Sequence, residues 1–438
     1  MKKRIVGTIL AAMLGMVIFA GCGGKDAAGR MDEPGIESGQ DVAGSTDSGS
    51  EQDAEDSTDK GSVEMVEYDE EQIRDGYIDY SIELLKESVT DGTNSMISPL
   101  SVMMAMDMAA AGAKGGTQDQ ITQMFCPGAS QAQIESYLSD LMERYQANED
   151  VELHIANSIW INDMFAEEIN TEYLDRANQV FDATARVLPF DAAAVDEING
   201  WVDENTNGMI DRLLDSLQPD TVLCLLNATA VEAPWAEPYE DAQVWEDDFT
   251  DAAGQTQSVE MMHGTEEDYF ETEDAIGFLK YYEGGEYGFL AILPKEGMTV
   301  EEYLAGMTGE SYREFYNTRT GAYKVHTMMP KFTYEYELTM NDVLYALGVK
   351  DAFNGDLADF SGIAPADDLY IDLVVHKTFI EVGQYETRAA AVTGVMMTNL
   401  AMPIEEEYRE VYLNRPFIYA IIDTENGAPI FIGTLQSV

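Results

Sequence analysis

Positive charge is scarce in this 438-residue chain: 24 Lys and Arg stand against 82 Asp and Glu, a formal net charge of −58. Such a chain repels phosphate backbones, which excludes nucleic acid as a partner, and it disfavours adsorption to anionic membrane surfaces. Cysteine is nearly absent. Cys22, Cys126 and Cys224 are an odd number at irregular spacing, so there is no disulfide framework, and no C-x-x-C pair occurs. The four histidines, His154, His263, His326 and His376, include no H-E-x-x-H and no other ligand pair at helical spacing. No metal site and no cofactor are therefore expected. The G-x-S-x-G elbow of many hydrolases is missing as well. Proline is absent from Glu381 to Met402, so that stretch keeps every backbone N–H that a central strand needs.

What is present begins with an address. Lys2, Lys3 and Arg4 precede a short apolar run, Ile5 to Ala20, followed by Gly21 and Cys22. This pattern reads as an export signal, and the run is short for a spanning helix, which needs roughly 20 apolar residues. Phe19-Ala20-Gly21-Cys22 resembles the lipobox of bacterial lipoproteins, with Phe19 where Leu is usual. The resemblance implies that residues 1–21 are a lipoprotein signal peptide and that Cys22 is acylated. That would place the protein on the extracellular face of the cell envelope, held by lipid to the cell membrane or outer membrane. Residues 22–67 would be the lipidated Cys and a tether. Gly, Ser, Asp and Glu dominate it, and it has too little apolar surface to offset the entropy of ordering.

Residues 68–438 read as one large mixed domain. Ile78, Ile82, Leu85 and Val89 fall at helical spacing. After Ser98-Pro99 comes a Met- and Ala-rich run to Ala113, apolar on almost every side, which predicts a buried helix. Ser130 to Tyr145 predicts an amphipathic helix with Ser130 as N-cap. His154 to Ile161, Val222 to Val231, Gly288 to Leu293 and Tyr370 to Val375 are strand-like. The chain ends in a hairpin, Phe417 to Ile422 and Ile430 to Leu435, around Asn426-Gly427. Helices first and strands later indicate an α+β fold with large antiparallel sheets.

Eight motifs then point one way. They are NSMISPLS at Asn94–Ser101, GAKGGT at Gly112–Thr117, ANSIWI at Ala156–Ile161 and NGWVDENTNGMI at Asn199–Ile210. They continue with a strand from Leu226 to Trp235, DFSGI at Asp359–Ile363, VHKTFIEV at Val375–Val382 and NRPF at Asn414–Phe417. Their content, order and spacing resemble the serpins, across almost the whole domain. The resemblance implies three β-sheets, eight or nine helices and an exposed reactive-centre loop. It also implies a suicide inhibitor of serine, and possibly cysteine, proteases that acts as a monomer and is not an enzyme. In that mechanism the protease acylates itself on the loop. The cut loop then inserts into the main sheet and deforms the protease before water can release it. Loop insertion in this family is a well-known release of stored strain.

The loop follows VHKTFIEV. The resemblance makes Glu386, Thr387, Arg388, Ala389, Ala390, Ala391, Val392 and Thr393 the hinge, whose small or β-branched residues can slip between two strands. Strand alternation puts Thr387, Ala389, Ala391 and Thr393 on the core side and Arg388 on the other. Glu386 stands where the family has Gly, and Arg388 where it has Glu. Gly would let the backbone turn as the loop enters, so Glu386 is expected to slow insertion. Counting from the hinge puts the reactive bond at Leu400-Ala401, which suits an elastase-, chymotrypsin- or subtilisin-like target. Counting back from Asn414 lands near Glu405 or Glu406, so the loop carries an insertion. Arg409 is the second choice and would suit a trypsin-like enzyme.

Ser98, Ser101, Asn227 and His376 match the family's shutter beneath the central strands, and Trp235 matches its breach, where the loop first enters. The same residues also read as an N-capping Ser, a strand Asn, a satisfied core His and a core aromatic. A serpin-fold protein that is only bound or cleaved, without trapping its protease, is the alternative function.

Overall fold

The computed structural model describes residues 66–148, 151–180, 184–218, 220–365, 368–387 and 407–438. Cys22, Arg388 to Thr393 and the Leu400-Ala401 bond lie outside the described residues.

Strands and helices are numbered in chain order. The first sheet runs β11 (Phe332–Thr339), β12 (Leu373–Val382), β13 (Glu386–Thr387), β4 (Leu223–Pro234), β2 (Glu152–Asn162) and β3 (Thr184–Leu188). The second runs β1 (Ser95–Ile97), β16 (Pro429–Leu435), β15 (Phe417–Asp423), β9 (Tyr287–Pro294), β8 (Ala275–Tyr281) and β7 (Asp268–Glu271). The third runs β14 (Tyr408–Tyr412), β10 (Lys324–Pro330), β6 (Thr256–Glu266) and β5 (Val244–Thr250). Nine α-helices occur among the described residues: α1 (Glu70–Ser88), α2 (Pro99–Gly112), α3 (Gly115–Phe125), α4 (Gln131–Ala147), α5 (Thr171–Val180), α6 (Ala192–Asn205), α7 (Val300–Gly306), α8 (Gly309–Asn317) and α9 (Asn341–Ala346).

Local chemistry sets the helix starts. Ser98 caps α2 by accepting from the Ser101 N–H, and Pro99 follows where its missing N–H costs nothing. Ser130 and Gln133 form a reciprocal capping box on α4. The Met and Ala side chains of α2 are buried nearly all round, because the helix lies in the main core with strands of the first and second sheets packed against it. At the chain end, Gly427 takes a left-handed φ of +79° in the β15–β16 turn, which a side chain would strain. Gly433 lets β1 pair at close range, since a Cβ there would stand 2.1 Å from the Ser95 carbonyl oxygen.

The first sheet has two covered faces. Ile155, Ile159, Leu223, Leu225 and Val231 face the main core. Ala156, Trp160, Leu226, Ala228 and Val375 face a second core built by α6 and the segment after it, through Val202, Ile210, Leu213 and Leu214. Burial on both faces explains the near-continuous apolar run of β4. One expected strand is displaced: Tyr370 to Val375 predicted a strand, but β12 runs Leu373–Val382. The Ile371 and Asp372 amides donate instead to the Ala352 and Leu223 carbonyls, which holds that segment in a connection.

Candidate functional site

Most neighbouring strands of the first sheet are antiparallel, but at its centre β4 and β12 run parallel. They are in register from Leu373 opposite Cys224 to Phe379 opposite Ala230. Beyond Phe379 the two strands part. The chain leaves β12 at Val382, reverses through Gly383, Gln384 and Tyr385, and re-enters between them as β13. Thr387 pairs with Val382 on one side and Ala233 on the other, and Glu386 pairs with Pro234. Glu386 and Thr387, the first two residues of the expected hinge, therefore already sit in the sheet.

The reversal is held by specific bonds. Trp235 is buried, stacks on Tyr282 at 4.6 Å and donates from Nε1 to the Gly383 carbonyl at 2.9 Å. The Trp235 and Tyr239 amides donate to the Tyr385 and Gln384 carbonyls. The Gln384 side chain donates to Asp241 and accepts from Lys331. Thr387 is fully buried on the main-core side, its hydroxyl 2.9 Å from that of Tyr282. Below them, the Lys280 ammonium lies 4.3 Å from the Tyr239 ring centroid and 3.1 Å from Glu266. Burial pushes the Glu266 carboxyl up, and Lys280 pulls it back only in part.

The expectation for Glu386 rests on a turn at that residue. Its backbone is extended, and among the described residues only Asn207 combines a side chain with a positive φ. The chain turns before Glu386, so no glycine is required at that position in this state. The expectation for Arg409 is corrected. It lies in β14, paired with Val325 of β10, and its guanidinium stacks 3.8 Å from the Tyr323 ring centroid. A bond engaged in a sheet is not presented to a protease cleft, so Arg409 is withdrawn as a reactive-bond residue.

Midway along the β4–β12 seam lies a buried polar cluster. His376 and Asn227 are register partners. The Ser98 N–H donates to His376 Nε2 at 3.0 Å, so Nε2 carries no proton and Nδ1–H donates to the Asn227 side-chain oxygen. The Asn227 amide donates to Ser101 Oγ and to the Asn157 side-chain oxygen. Ser101 and Thr229 share a hydroxyl hydrogen bond of 2.7 Å, and Thr378 donates to the Met96 carbonyl at 2.8 Å. Burial drives the His376 pKa down to about 3, so the ring stays neutral. Both ring nitrogens are occupied, neither by a carboxylate or a serine hydroxyl. This arrangement cannot activate a nucleophile.

Ser98, Ser101, Asn227 and His376 are thus brought together, and Trp235 stands where β13 begins. Asn157, Thr229, Thr378 and Tyr282 belong to the same networks and were missed. Strand alternation could have offered Asn157, because it lies on the core face of β2. Nothing local distinguishes the others. Cys126 and Cys224 are buried, and burial pushes both thiols up.

The sheet order, the parallel central pair and the re-entrant hinge define a protein of the serpin class. The chain belongs to the serpin family: the family described as Serpin (serine protease inhibitor) matches residues 75–438. It is 33% identical over 366 residues to an uncharacterized serpin-like protein of Thermococcus kodakarensis, covering 82% of this chain and 84% of that one. It is 27% identical to human neuroserpin, covering 78% and 86%. The crystal structure of the thermophilic serpin tengpin in its native state superposes with a TM-score of 0.79 at 41% identity, covering 86% of this chain and 96% of that one. Most serpins are protease inhibitors rather than catalysts.

Proposed function

We propose that this protein is an extracytoplasmic, lipid-anchored inhibitor that traps serine proteases by inserting its cleaved loop between β4 and β12. One observation carries the reading: β13 already occupies one end of that seam, antiparallel to both neighbours. Further insertion would replace a parallel pairing with two antiparallel ladders, which are slightly more stable per residue.

Continuing both β13 registers one residue at a time gives a consistent path. Arg388 would fall between Glu381 and Glu232, Ala391 between Thr378 and Thr229, and Thr393 between His376 and Asn227. Each of these flanking pairs from Phe379 onward is already a register pair of the closed seam. The path thus accounts for Arg388, which would meet two carboxylates. It also gives the polar cluster a role, since Thr393 would part His376 from Asn227. The protein would supply bait and strain but no catalytic group.

The test mixes full-length protein with elastase-, chymotrypsin-, subtilisin- and trypsin-like proteases, followed by denaturing gels and mass measurement. The expected result is a covalent complex with at least one of the first three, and a released peptide starting at Ala401. Cleavage by all of them with no covalent product would overturn trapping in favour of a serpin-fold protein that is merely cleaved. For the anchor, Cys22→Ser should abolish acylation and release the protein from membranes. Unchanged membrane association would refute that part.

A further inference from the structure

We propose that Glu152, His154 and Glu232 form a binding site for a divalent cation of the zinc class, on the face of the first sheet that α6 covers. The three side chains meet through strand register rather than sequence spacing. Glu152 and Glu232 are direct cross-strand partners, and His154 is two residues along β2 from Glu152 and so shares its face. One ligand atom from each lies within 4.8 Å of the other two. His154 Nε2 and Glu152 Oε2 stand 3.7 Å apart. Neighbouring ligands of a tetrahedral zinc stand about 3.3–3.5 Å apart, so small side-chain rotations close the set.

Two features of the trio suit a cation. His154 Nε2 is buried and makes no hydrogen bond, although it faces a carboxylate. Glu152 and Glu232, directly opposite one another on the strand pair, would supply the ion with two carboxylates. The donor set selects the ion. One imidazole nitrogen with two carboxylates suits zinc, whereas calcium takes six to eight oxygens. Asn207 stands beside the trio, its amide 3.4 Å from Glu232 Oε1, where it can orient that carboxylate. The ion would tie β2 to β4 one residue before Ala233, the partner of Thr387. Histidine spacing along a helix, the pattern sought in the sequence, has no bearing on such a site. The inference does not depend on protease trapping.

The test uses full-length protein stripped with chelator, then titrated with zinc chloride or calcium chloride by calorimetry and followed by thermal melts. One equivalent of zinc should bind with micromolar affinity or better. It should raise Tm by about 3 °C when free zinc is roughly 100-fold above Kd. Calcium at the same concentration should do neither. His154→Gln and Glu232→Gln should each weaken zinc binding at least about tenfold while keeping the metal-free Tm, because both side chains are partly exposed. His263→Gln, at a histidine outside the trio, should bind as the parent does. No saturable zinc binding below about 1 mM, or parental affinity in both trio variants, would overturn the proposal.

Discussion

His376 and Asn227 face each other across the parallel seam at the centre of the first sheet, and the imidazole Nδ1–H donates to the Asn227 side-chain oxygen. The bond joins the two strands that loop insertion, as proposed, would separate. On the other ring nitrogen, the Ser98 amide ties the seam to the start of α2. One neutral histidine therefore couples both halves of the sheet to the central helix.

Removing it should be costly. His376→Ala leaves the buried Ser98 N–H without a partner and the Asn227 oxygen with only the Thr229 hydroxyl at 3.4 Å, at about 1–3 kcal/mol for an unsatisfied group. The urea midpoint of unfolding should fall clearly. A midpoint equal to the parent's would show that the cluster carries no stability.

The same histidine makes stability depend on pH. Burial lowers its pKa from 6.5 to about 3. In the unfolded chain it takes up a proton below about pH 6.5, while the folded ring stays neutral. Its contribution is therefore complete above pH 6.5 and is lost as pH falls from there towards 3, by roughly 1 kcal/mol per pH unit. Buried carboxyls with raised pKa values, such as Glu266, pull the opposite way. The quantity to measure is thus the difference between the parent and His376→Gln across pH 7 to 4. A difference that does not shrink with acidification would contradict the assignment.

Thr387 is fully buried with its hydroxyl on Tyr282. Thr387→Arg forces a charge into that position and should expel β13 from the seam. If insertion traps the protease, covalent complex should fall at least about tenfold, with cleaved product rising in its place. Undiminished complex would disprove the role of this end of the seam.

Trp235→Phe keeps an aromatic ring for the stack on Tyr282 but deletes the bond to the Gly383 carbonyl, a loss of about 1 kcal/mol. Amide hydrogen exchange over Gly383–Thr387 should quicken about fivefold if the turn opens by local fluctuation. Exchange at the parental rate would show that the other backbone bonds hold the turn alone.

Much of the fold was legible because its signals are local. The Ser98 and Ser130 caps, the all-round apolar face of α2 and the Asn426-Gly427 turn are each written within a few neighbouring residues. Arg409 was misread because an exposed basic residue in a loop and one in an outer strand look alike until the parallel pairing with Val325 is known. The turn just before Glu386 was not legible because the position of a turn within a short connection depends on which carbonyls find partners, here those of Gly383, Gln384 and Tyr385.

By itself the sequence determined the class of fold, the buried central helix, the identity of the polar residues along the seam and the low-bulk, proline-free composition of the hinge. The class of fold, the buried helix and the hinge composition follow from periodicity, side-chain size and capping chemistry, which act over a few residues, whereas the seam residues follow from the resemblance to the serpins. Tertiary structure alone decided that Thr387 is already seated beside Ala233, that Asn157 and Thr229 complete the His376 network, and that Glu152, His154 and Glu232 share one face. Those relationships rest on the register of strands far apart in the chain. Register is set by packing on both faces of the sheet, so it exists only once the sheet has formed.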